Sequence, residues 1–313
     1  MLSWCSTANV NLRLKTPAVC KLTALGNLPT NDVAFRSHSG KPNNPTNQPD
    51  PMKNKQRLFG IDIDAIRMPE AVSRLRGWIE GDDASDECSY VVTPNVDHAV
   101  QLQENDSLVH AYQKAHMVLA DGHPIVWASR LLRIPLPERV AGSELVPALF
   151  DSFNQDHASG KLKVFLLGAM PGVGAVAATN MKEQWPNVET VGVYSPPFGF
   201  ENDPEENNYL LGRIALCRPD VVIIGLGAPK QEVWVSRNYK QINAKAALCV
   251  GATIDFLAGE QKRAPEWMQR GGVEWLHRMC SQPKRLVKRY VKDAWIFPQL
   301  VIKQMFGGWK STT

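Results

Sequence analysis

Short apolar runs alternate with longer amphipathic segments along the middle of the chain. The runs are rich in valine, isoleucine and leucine, as expected of strands buried on both faces of a parallel sheet. They occupy residues 90–92, 117–120, 163–167, 188–193, 221–224 and 246–250. Helical spacing is found at 69–80, 96–115, 123–133, 143–153, 174–185 and 205–217. This alternation predicts an α/β fold, a Rossmann-like, doubly wound and mostly parallel sheet.

The turn that follows the apolar run at 221–224 is the most informative stretch of the chain. Two glycines allow a tight turn there, and Pro229 suits the first position of a helix. Gln231 and Glu232 then lie in the first helical turn, where a phosphate or a sugar hydroxyl can be held. An ordinary tight turn between a strand and a helix is the alternative interpretation.

Polar residues recur where the predicted strands end. In doubly wound sheets, ligands bind beyond the carboxyl ends of the strands. The positions at such ends are Thr93, Asn95, Asp121, Gly168, Gln231 and Asp255. Asp121 is the central carboxylate, able to take a proton from a substrate hydroxyl. It can equally be a turn residue that caps the following helix.

The alternating segment at 59–66 predicts a half-exposed strand or hairpin arm. Its Asp62-x-Asp64 pair invites comparison with the metal-binding pair of many sugar-nucleotide transferases. The alternation favours a simpler arrangement, in which the isoleucines point inward and both aspartates point outward. We therefore expect no metal site and no cofactor.

Charge divides the chain into three parts. Residues 58–261 carry 16 basic and 26 acidic side chains, whereas residues 262–313 carry 11 basic and three acidic ones. Residues 1–57 include a segment rich in proline and asparagine and are predicted to be a disordered N-terminal extension. The prediction is thus an α/β core at 58–261 and a basic, amphipathic C-terminal appendage at 262–313.

The basic appendage indicates an anionic partner, and phosphates or anionic lipid head groups are the candidates. We expect no nucleic-acid partner. The six cysteines are scattered without metal-ligand spacing, as in a reducing compartment. Neither a membrane-spanning run nor a secretory signal is apparent, so we expect a cytoplasmic protein.

Other enzyme classes fit the sequence poorly. The spacing of Gly168, Gly172 and Gly174 is not that of a dinucleotide-binding fingerprint, and Lys230 stands where the turn after residue 224 would need its third glycine. A Walker P-loop and a G-x-S-x-G nucleophile elbow are absent. What remains is a pocket of carboxylate, hydroxyl, amide and arginine groups, suited to a phosphorylated, polyhydroxylated substrate.

The appendage contains an amphipathic helix that we expect to run between Pro283 and Pro298. At about 100° per residue, one narrow sector holds the basic residues and the opposite side is apolar. The basic residues are Arg285, Lys288, Arg289 and Lys292. Binding to a membrane surface is one interpretation; apolar packing on the core, or an interface between copies of the chain in a homo-oligomer, is the other.

Several ordered motifs resemble the WecG/TagA/CpsF glycosyltransferases, glycosyltransferase family 26. The resemblance covers roughly residues 58–297. It rests on Thr93-Pro-Asn95, Ala120-Asp-Gly122, 137–143, 165–168, 219–232, Gly251 with 255–259, 263–268, 274–278, Pro283, Arg285 and Arg289-Tyr290.

The resemblance implies an inverting, metal-independent transferase that moves a sugar from a UDP-sugar to an undecaprenyl-diphosphate-linked acceptor. Such enzymes work peripherally at the inner face of the cell membrane and build cell-surface polysaccharide or teichoic acid. The sugar differs among members (N-acetylmannosamine, its uronic acid or glucose), and no residue here selects one.

The resemblance also implies roles for individual residues. Asp121 is similar to the general base, and Arg139 to a substrate-pocket cation. Thr93, Asn95 and Gln231 correspond to sugar contacts, Gly168 to the substrate-binding strand end and Asp255 to a nucleotide contact. Arg278 and Arg285 resemble basic residues that complete the active site over the diphosphate, and the resemblance makes Arg285 a catalytic residue together with Asp121. Lys288 stands where an arginine is expected, so Lys288 and Arg289 are both candidates for a phosphate contact.

The sequence is also compatible with a second function, which is binding without sugar transfer. A catalytically inactive module of the same fold would bind a sugar nucleotide without needing both Asp121 and the C-terminal arginines.

Overall fold

The computed structural model describes residues 54–81, 87–156, 160–261, 264–265, 267–268, 274–281 and 283–307. Of the N-terminal extension predicted to be disordered at 1–57, residues 1–53 lie outside these ranges. The first described strand begins at Lys55, so the boundary predicted between residues 57 and 58 falls inside this strand.

Strands and helices alternate as the hydrophobic pattern predicts. The strands are β1 Lys55–Leu58, β2 Ile61–Asp64, β3 Ser89–Val92, β4 Met117–Val118, β5 Leu162–Gly168, β6 Val188–Tyr194, β7 Val221–Gly225 and β8 Ala246–Cys249. The first helices are α1 Met68–Glu80, α2 Val96–Gln101, α3 Asp106–Gln113, α4 His123–Leu131, α5 Gly142–Gln155 and α6 Val173–Gln184. They are followed by α7 Pro204–Cys217, α8 Lys230–Asn238, α9 Thr253–Ala258, α10 Glu274–Ser281 and α11 Pro283–Met305, with a 3-10 turn at Phe200–Asn202.

Six of these strands form one sheet, in the order β4-β3-β8-β7-β5-β6. All of its pairings are parallel, whereas β1 and β2 form a separate antiparallel hairpin. The predicted α/β, Rossmann-like class is confirmed. The chain leaves β3 towards β4 on one side and later returns to place β8 on the other side of β3. The carboxyl ends of β3, β4 and β8 therefore lie side by side, at the kind of strand reversal where such sheets bind ligands.

The sheet is buried on both faces, and its strands are apolar for that reason. Successive side chains of a strand point to opposite faces. In β7, Val222 and Ile224 join one hydrophobic cluster, whereas Val221 and Ile223 join the cluster on the other face. All four side chains are fully buried. An apolar residue at every position, rather than at alternate ones, is the pattern that such a strand requires.

Two helix predictions are wrong in their boundaries. The segment at 96–115 forms two helices, because Asn105 caps α3 by accepting a hydrogen bond from the Leu108 N–H at 3.0 Å. A side chain of this kind at a helix start stabilises a break in the chain direction. The C-terminal helix continues through Pro298 to Met305. A proline inside a helix costs about 3 kcal/mol, and the burial of Leu300 and Val301 against the core offsets this cost.

The outward orientation predicted for Asp64 is also wrong. Asp64 is 3% exposed, and its carboxylate accepts hydrogen bonds from Arg74 at 2.9 Å and from the Val118 N–H at 2.9 Å. Asp62 is exposed and pairs with Arg57 at 3.0 Å. Asp64 thereby ties the hairpin to β4, while Asp62 lies in solvent. The two carboxylates are engaged with different partners rather than directed at a shared ion.

Candidate active site

A cavity of about 340 Å³ opens beyond the carboxyl ends of β3, β4 and β8. One wall is formed by residues that follow the strands, among them Asn95, Asp97, Asp121, His123, Arg139, Val250 and Ala252. The opposite wall comes from α10 and α11 and includes Glu274, Trp275, Arg289, Tyr290, Asp293, Ala294, Phe297 and Pro298. The C-terminal appendage therefore supplies eight of the twenty lining residues. Charged side chains occur in both walls.

The strand wall begins with two residues that follow β3. Asn95 lines the cavity and caps α2, since its side-chain oxygen accepts a hydrogen bond from the His98 N–H at 3.3 Å. Thr93 is 4% exposed, and its hydroxyl donates to the carbonyl of Cys249 at 3.1 Å. Thr93 thus joins the ends of β3 and β8 beneath the cavity instead of lining it.

Asp121 lies in the turn that follows β4. Its backbone N–H donates to the carbonyl of Pro94 at 2.8 Å, which fixes it beside the end of β3. Its carboxylate lines the cavity with a side chain 31% exposed. Gly122, with φ of 145°, occupies the N-cap position of α4. Asp121 therefore does not hold the cap position that the alternative interpretation assigned to it.

Arg139 lies at the centre of an ion-pair network. Its side chain is only 11% exposed, and its guanidinium bonds to Glu144. Its Nη1 is 3.9 Å from Asp121 and 3.8 Å from Glu274. Because Glu274 belongs to α10, Arg139 links the strand wall to the appendage. An anionic ligand entering here would compete with Glu274 for the guanidinium.

Three further site candidates lie outside the lining of this cavity. Gly168 ends β5 with φ of 110°, and a Cβ there would lie 2.5 Å from the carbonyl oxygen of Gly225, so no side chain fits. Gln231 is 2% exposed and is hydrogen-bonded at both ends of its amide. It donates to Glu232 at 2.7 Å and accepts from the Gly251 N–H at 3.2 Å, which orders the loop after β8. Asp255 lies in the first turn of α9.

The basic residues of the appendage differ in orientation. Lys288 is exposed, whereas Arg289 lines the cavity and its Nη1 is 3.5 Å from Asp97 of α2. Of these two neighbours, Arg289 is the one placed to contact a ligand in the cavity. The side chains of Arg278 and Arg285 lie outside the described residues, so the roles given to them stay predictions.

Sequence reasoning missed Asp293, which lines the cavity although it is only 4% exposed. Burial and the charge of Asp97 raise the pKa of the Asp293 carboxyl to about 6, against the attraction of Arg289. Burial likewise raises the pKa of Asp97. A signal was present in the sequence, because Asp293 is the sole acidic residue between positions 275 and 313.

A buried carboxylate also lies within the core. Glu232 is fully buried, and one of its oxygens has no hydrogen-bond partner among the described residues. Burial raises the pKa of Glu232 to about 7, and the hydrogen bond from Gln231 opposes that rise. Glu232 follows Gln231 in α8, so the sequence placed it correctly in the first helical turn. It does not line the cavity.

The outer face of α11 carries large apolar side chains beside exposed lysines. Val291, Trp295 and Ile302 are 64%, 76% and 53% exposed, and Phe306, just after the helix, is 83% exposed. The side facing the body holds Leu286, Arg289, Asp293 and Leu300. Of the two interpretations of this helix, apolar packing on the core would direct the whole basic sector to solvent, whereas Arg289 lines the cavity. Among the described residues, no helix has the length and apolar character needed to cross a membrane.

A doubly wound parallel sheet with a cavity at its strand ends, lined by charged as well as apolar side chains, defines a Rossmann-like α/β protein with a ligand-binding site. The sequence model described as "Glycosyl transferase WecG/TagA/CpsF family" matches residues 56–311. The chain belongs to this family and is a glycosyltransferase, as the motifs indicated.

Curated relatives are similar over most of the chain. A protein of Staphylococcus aureus strain MRSA252 is 28% identical over 232 residues, which cover 74% of this chain and 87% of the relative. Proteins of strains MW2 and NCTC 8325 are 27% identical over the same lengths. Each is named N-acetylglucosaminyldiphosphoundecaprenol N-acetyl-beta-D-mannosaminyltransferase.

Proposed function

We propose that this glycosyltransferase moves an N-acetylmannosamine-type or other hexose from a UDP-sugar to a polyprenyl-diphosphate-linked N-acetylglucosamine, with inversion at the anomeric carbon. The observation that carries the proposal is the position of Asp121, which lines the cavity 3.9 Å from Arg139 where the strand ends meet. The names of the relatives support the class of acceptor.

In this reaction Asp121 acts as the general base. Its carboxylate takes the proton of the acceptor hydroxyl, and the oxygen attacks the anomeric carbon of the donor. The bond from that carbon to the UDP oxygen breaks, and UDP leaves with the electron pair. Arg139 keeps the Asp121 carboxylate oriented from one side. Base catalysis of this kind contributes about 10²- to 10⁴-fold to a rate.

The departing UDP needs positive charge, and we assign this role to the protein rather than to a metal ion. Arginines and helix N-termini are suitable partners for a diphosphate. Arg278, Arg285 and either Lys288 or Arg289 are the candidates in the appendage. Thr93, Asn95, Gln231, Gly168 and Asp255 keep their proposed roles near the sugar and nucleotide; Thr93 and Gln231 would act by ordering the strand ends.

The appendage also suits a membrane surface. A basic segment gains about 1 kcal/mol per lysine or arginine near anionic lipid. The exposed apolar side chains on the outer face of α11 add burial in the interfacial region. We therefore propose peripheral binding to the inner leaflet, so that the lipid-linked acceptor reaches the cavity from the α11 side.

The direct test is a panel of UDP-sugars offered with N-acetylglucosaminyl diphosphate linked to a prenyl chain. UDP release and a disaccharide-lipid product of inverted configuration are expected with at least one donor. Binding of UDP-sugars without transfer of any of them would instead identify an inactive sugar-nucleotide-binding module.

A further inference from the structure

Two buried polar atoms in the helix wall have no hydrogen-bond partner within the described part of the chain. They are Nε of Arg289 and Oδ2 of Asp293. The two residues are four apart in α11, so their side chains lie on the same side of the helix, and both line the cavity. A native structure rarely leaves a buried donor and a buried acceptor of one cavity wall without partners. Their partner is therefore expected to be a ligand.

The neighbouring charges do not fill these positions. Asp97 holds one terminal nitrogen of Arg289 at 3.5 Å and is itself bonded by Gln101 at 2.7 Å. Lys292 is directed to Glu104 at 3.1 Å. His98, a further titratable group near Arg289, is buried and hydrogen-bonded to the hydroxyl of Tyr112 at 2.7 Å. The guanidinium is thus held in place, while Nε of Arg289 and Oδ2 of Asp293 stay available.

The chemistry of this pair selects its ligand. A phosphate at neutral pH offers acceptors almost exclusively, and it would be repelled by Asp97 and Asp293. Of the two candidates Lys288 and Arg289, this leaves Lys288 for the diphosphate. An acetamido group offers a carbonyl acceptor and an N–H donor, separated by one carbon, together with a methyl group. Apolar side chains for the methyl are present in the same wall, from Ala294 and Phe297.

We propose that Arg289 and Asp293 recognise the acetamido group of an N-acetylhexosamine in the cavity. The Arg289 Nε–H donates to the acetamido carbonyl, and Oδ2 of Asp293 accepts from its N–H. This inference rests on the proposed function, in which the acceptor sugar and one class of donor sugar are N-acetylated. Either sugar can supply the group, and the two arms of the test distinguish them.

The test compares each N-acetylated substrate with its 2-hydroxy analogue. In one arm the donor is UDP-N-acetylmannosamine or UDP-mannose; in the other the acceptor carries N-acetylglucosamine or glucose on the prenyl diphosphate. Asp293→Leu replaces the carboxylate with an apolar side chain of similar size and so removes the hydrogen-bond acceptor. We expect it to raise KM for the acetamido substrate of one arm about 10- to 100-fold, as for one charge-assisted hydrogen bond. KM for the 2-hydroxy analogue should change less than about twofold.

Two further variants separate recognition from folding. Asp293→Asn keeps an oxygen acceptor and should recover part of the selectivity. Gln304→Ala weakens the docking of α11 away from the cavity, because Gln304 bonds to the Phe59 N–H at 2.8 Å and to the Arg57 carbonyl at 2.9 Å. It should therefore affect acetamido and 2-hydroxy substrates equally.

The outcomes are distinct. Asp293→Leu could raise KM equally for the acetamido substrate and its 2-hydroxy analogue, as expected of Gln304→Ala. That result would contradict recognition by Arg289 and Asp293 while leaving the glycosyltransferase assignment intact. If the wild-type protein transferred no sugar in either arm, the proposed function would fail, and this inference with it. A selective loss in one arm supports the pair and assigns it to the donor or to the acceptor sugar.

Discussion

The two walls of the cavity are built by different means. In the strand wall, Asn95 and Asp121 follow adjacent parallel strands, and main-chain hydrogen bonds set their positions. In the helix wall, Arg289 and Asp293 depend on the docking of α11, which uses side chains such as Gln304 and Phe297. The proposed base is thus positioned by the sheet, whereas the proposed recognition pair depends on the packing of α11 against the core. Substitutions in the strand wall are therefore expected to lower turnover, whereas substitutions in the helix wall are expected to weaken the binding of substrate or membrane.

The largest effect is expected in the strand wall, from Asp121→Asn. The variant cannot take the acceptor proton, so turnover should fall by about 10²- to 10⁴-fold while UDP binding and thermal unfolding stay unchanged. Steady-state turnover and UDP titration measure the two quantities. Asp62→Asn, on the exposed side of the hairpin, is the matched control and should retain activity. Wild-type turnover in Asp121→Asn would remove Asp121 from the mechanism.

The next effect is expected on the outer face of α11. The double change Val291→Ser and Trp295→Ser removes two exposed apolar side chains, and we expect the partition onto anionic liposomes to fall by about tenfold or more. Sedimentation with liposomes at low and high salt measures it, and high salt should release the wild-type protein. Leu216→Ser, an equally exposed apolar site on α7, is the control. Unchanged sedimentation of the double variant would restrict α11 to a structural role.

A smaller effect should come from the core beneath the strand wall. Burial raises the pKa of Glu232 from 4.5 to about 7, so the folded state binds its proton more tightly than the unfolded state. Stability is therefore lost as the pH rises from about 4.5 to 7, and Glu232→Gln should avoid that loss. At pH 8 we expect the free energy of unfolding to increase by roughly 3 kcal/mol, with little change at pH 4.5.

Urea unfolding at the two pH values measures this difference. Glu205→Gln, an exposed change in the first turn of α7, should show no such dependence on pH. A shift in Glu232→Gln that is the same at both pH values would contradict the assignment to this carboxyl.

The smallest effect is expected from removing divalent ions. Asp62 and Asp64 pair with different arginines, and no group of three or more metal-binding side chains lies together in the described ranges. We therefore expect EDTA to leave turnover unchanged, with the leaving diphosphate stabilised by arginines. Activity that EDTA abolishes and Mg²⁺ or Mn²⁺ restores would refute metal independence and reopen the search for a ligand set.

The hydrophobic pattern determined the strands, most of the helices and the edge of the sheet that carries the site. These features depend on the local spacing of apolar residues and on strands that are buried on both faces. The continuous apolar run at 221–224 is an example that can be recognised from the sequence. The position of Asp121 at a strand end followed in the same way. The family followed from ordered motifs, and the model match confirms it.

Tertiary structure decided which polar residues share the cavity. Asn95 lines it while Thr93, two residues earlier, is turned towards Cys249. Asp293 faces inward, and α11 runs through Pro298, because side chains such as Gln304 meet the hairpin at Phe59, 245 positions away in the chain. Burial and pairing between such distant segments leave no periodic trace in the sequence. For this reason the sequence indicated Asn95 and Asp121 in the strand wall and, through the family motifs, Arg289 in the helix wall, but it did not indicate Asp293.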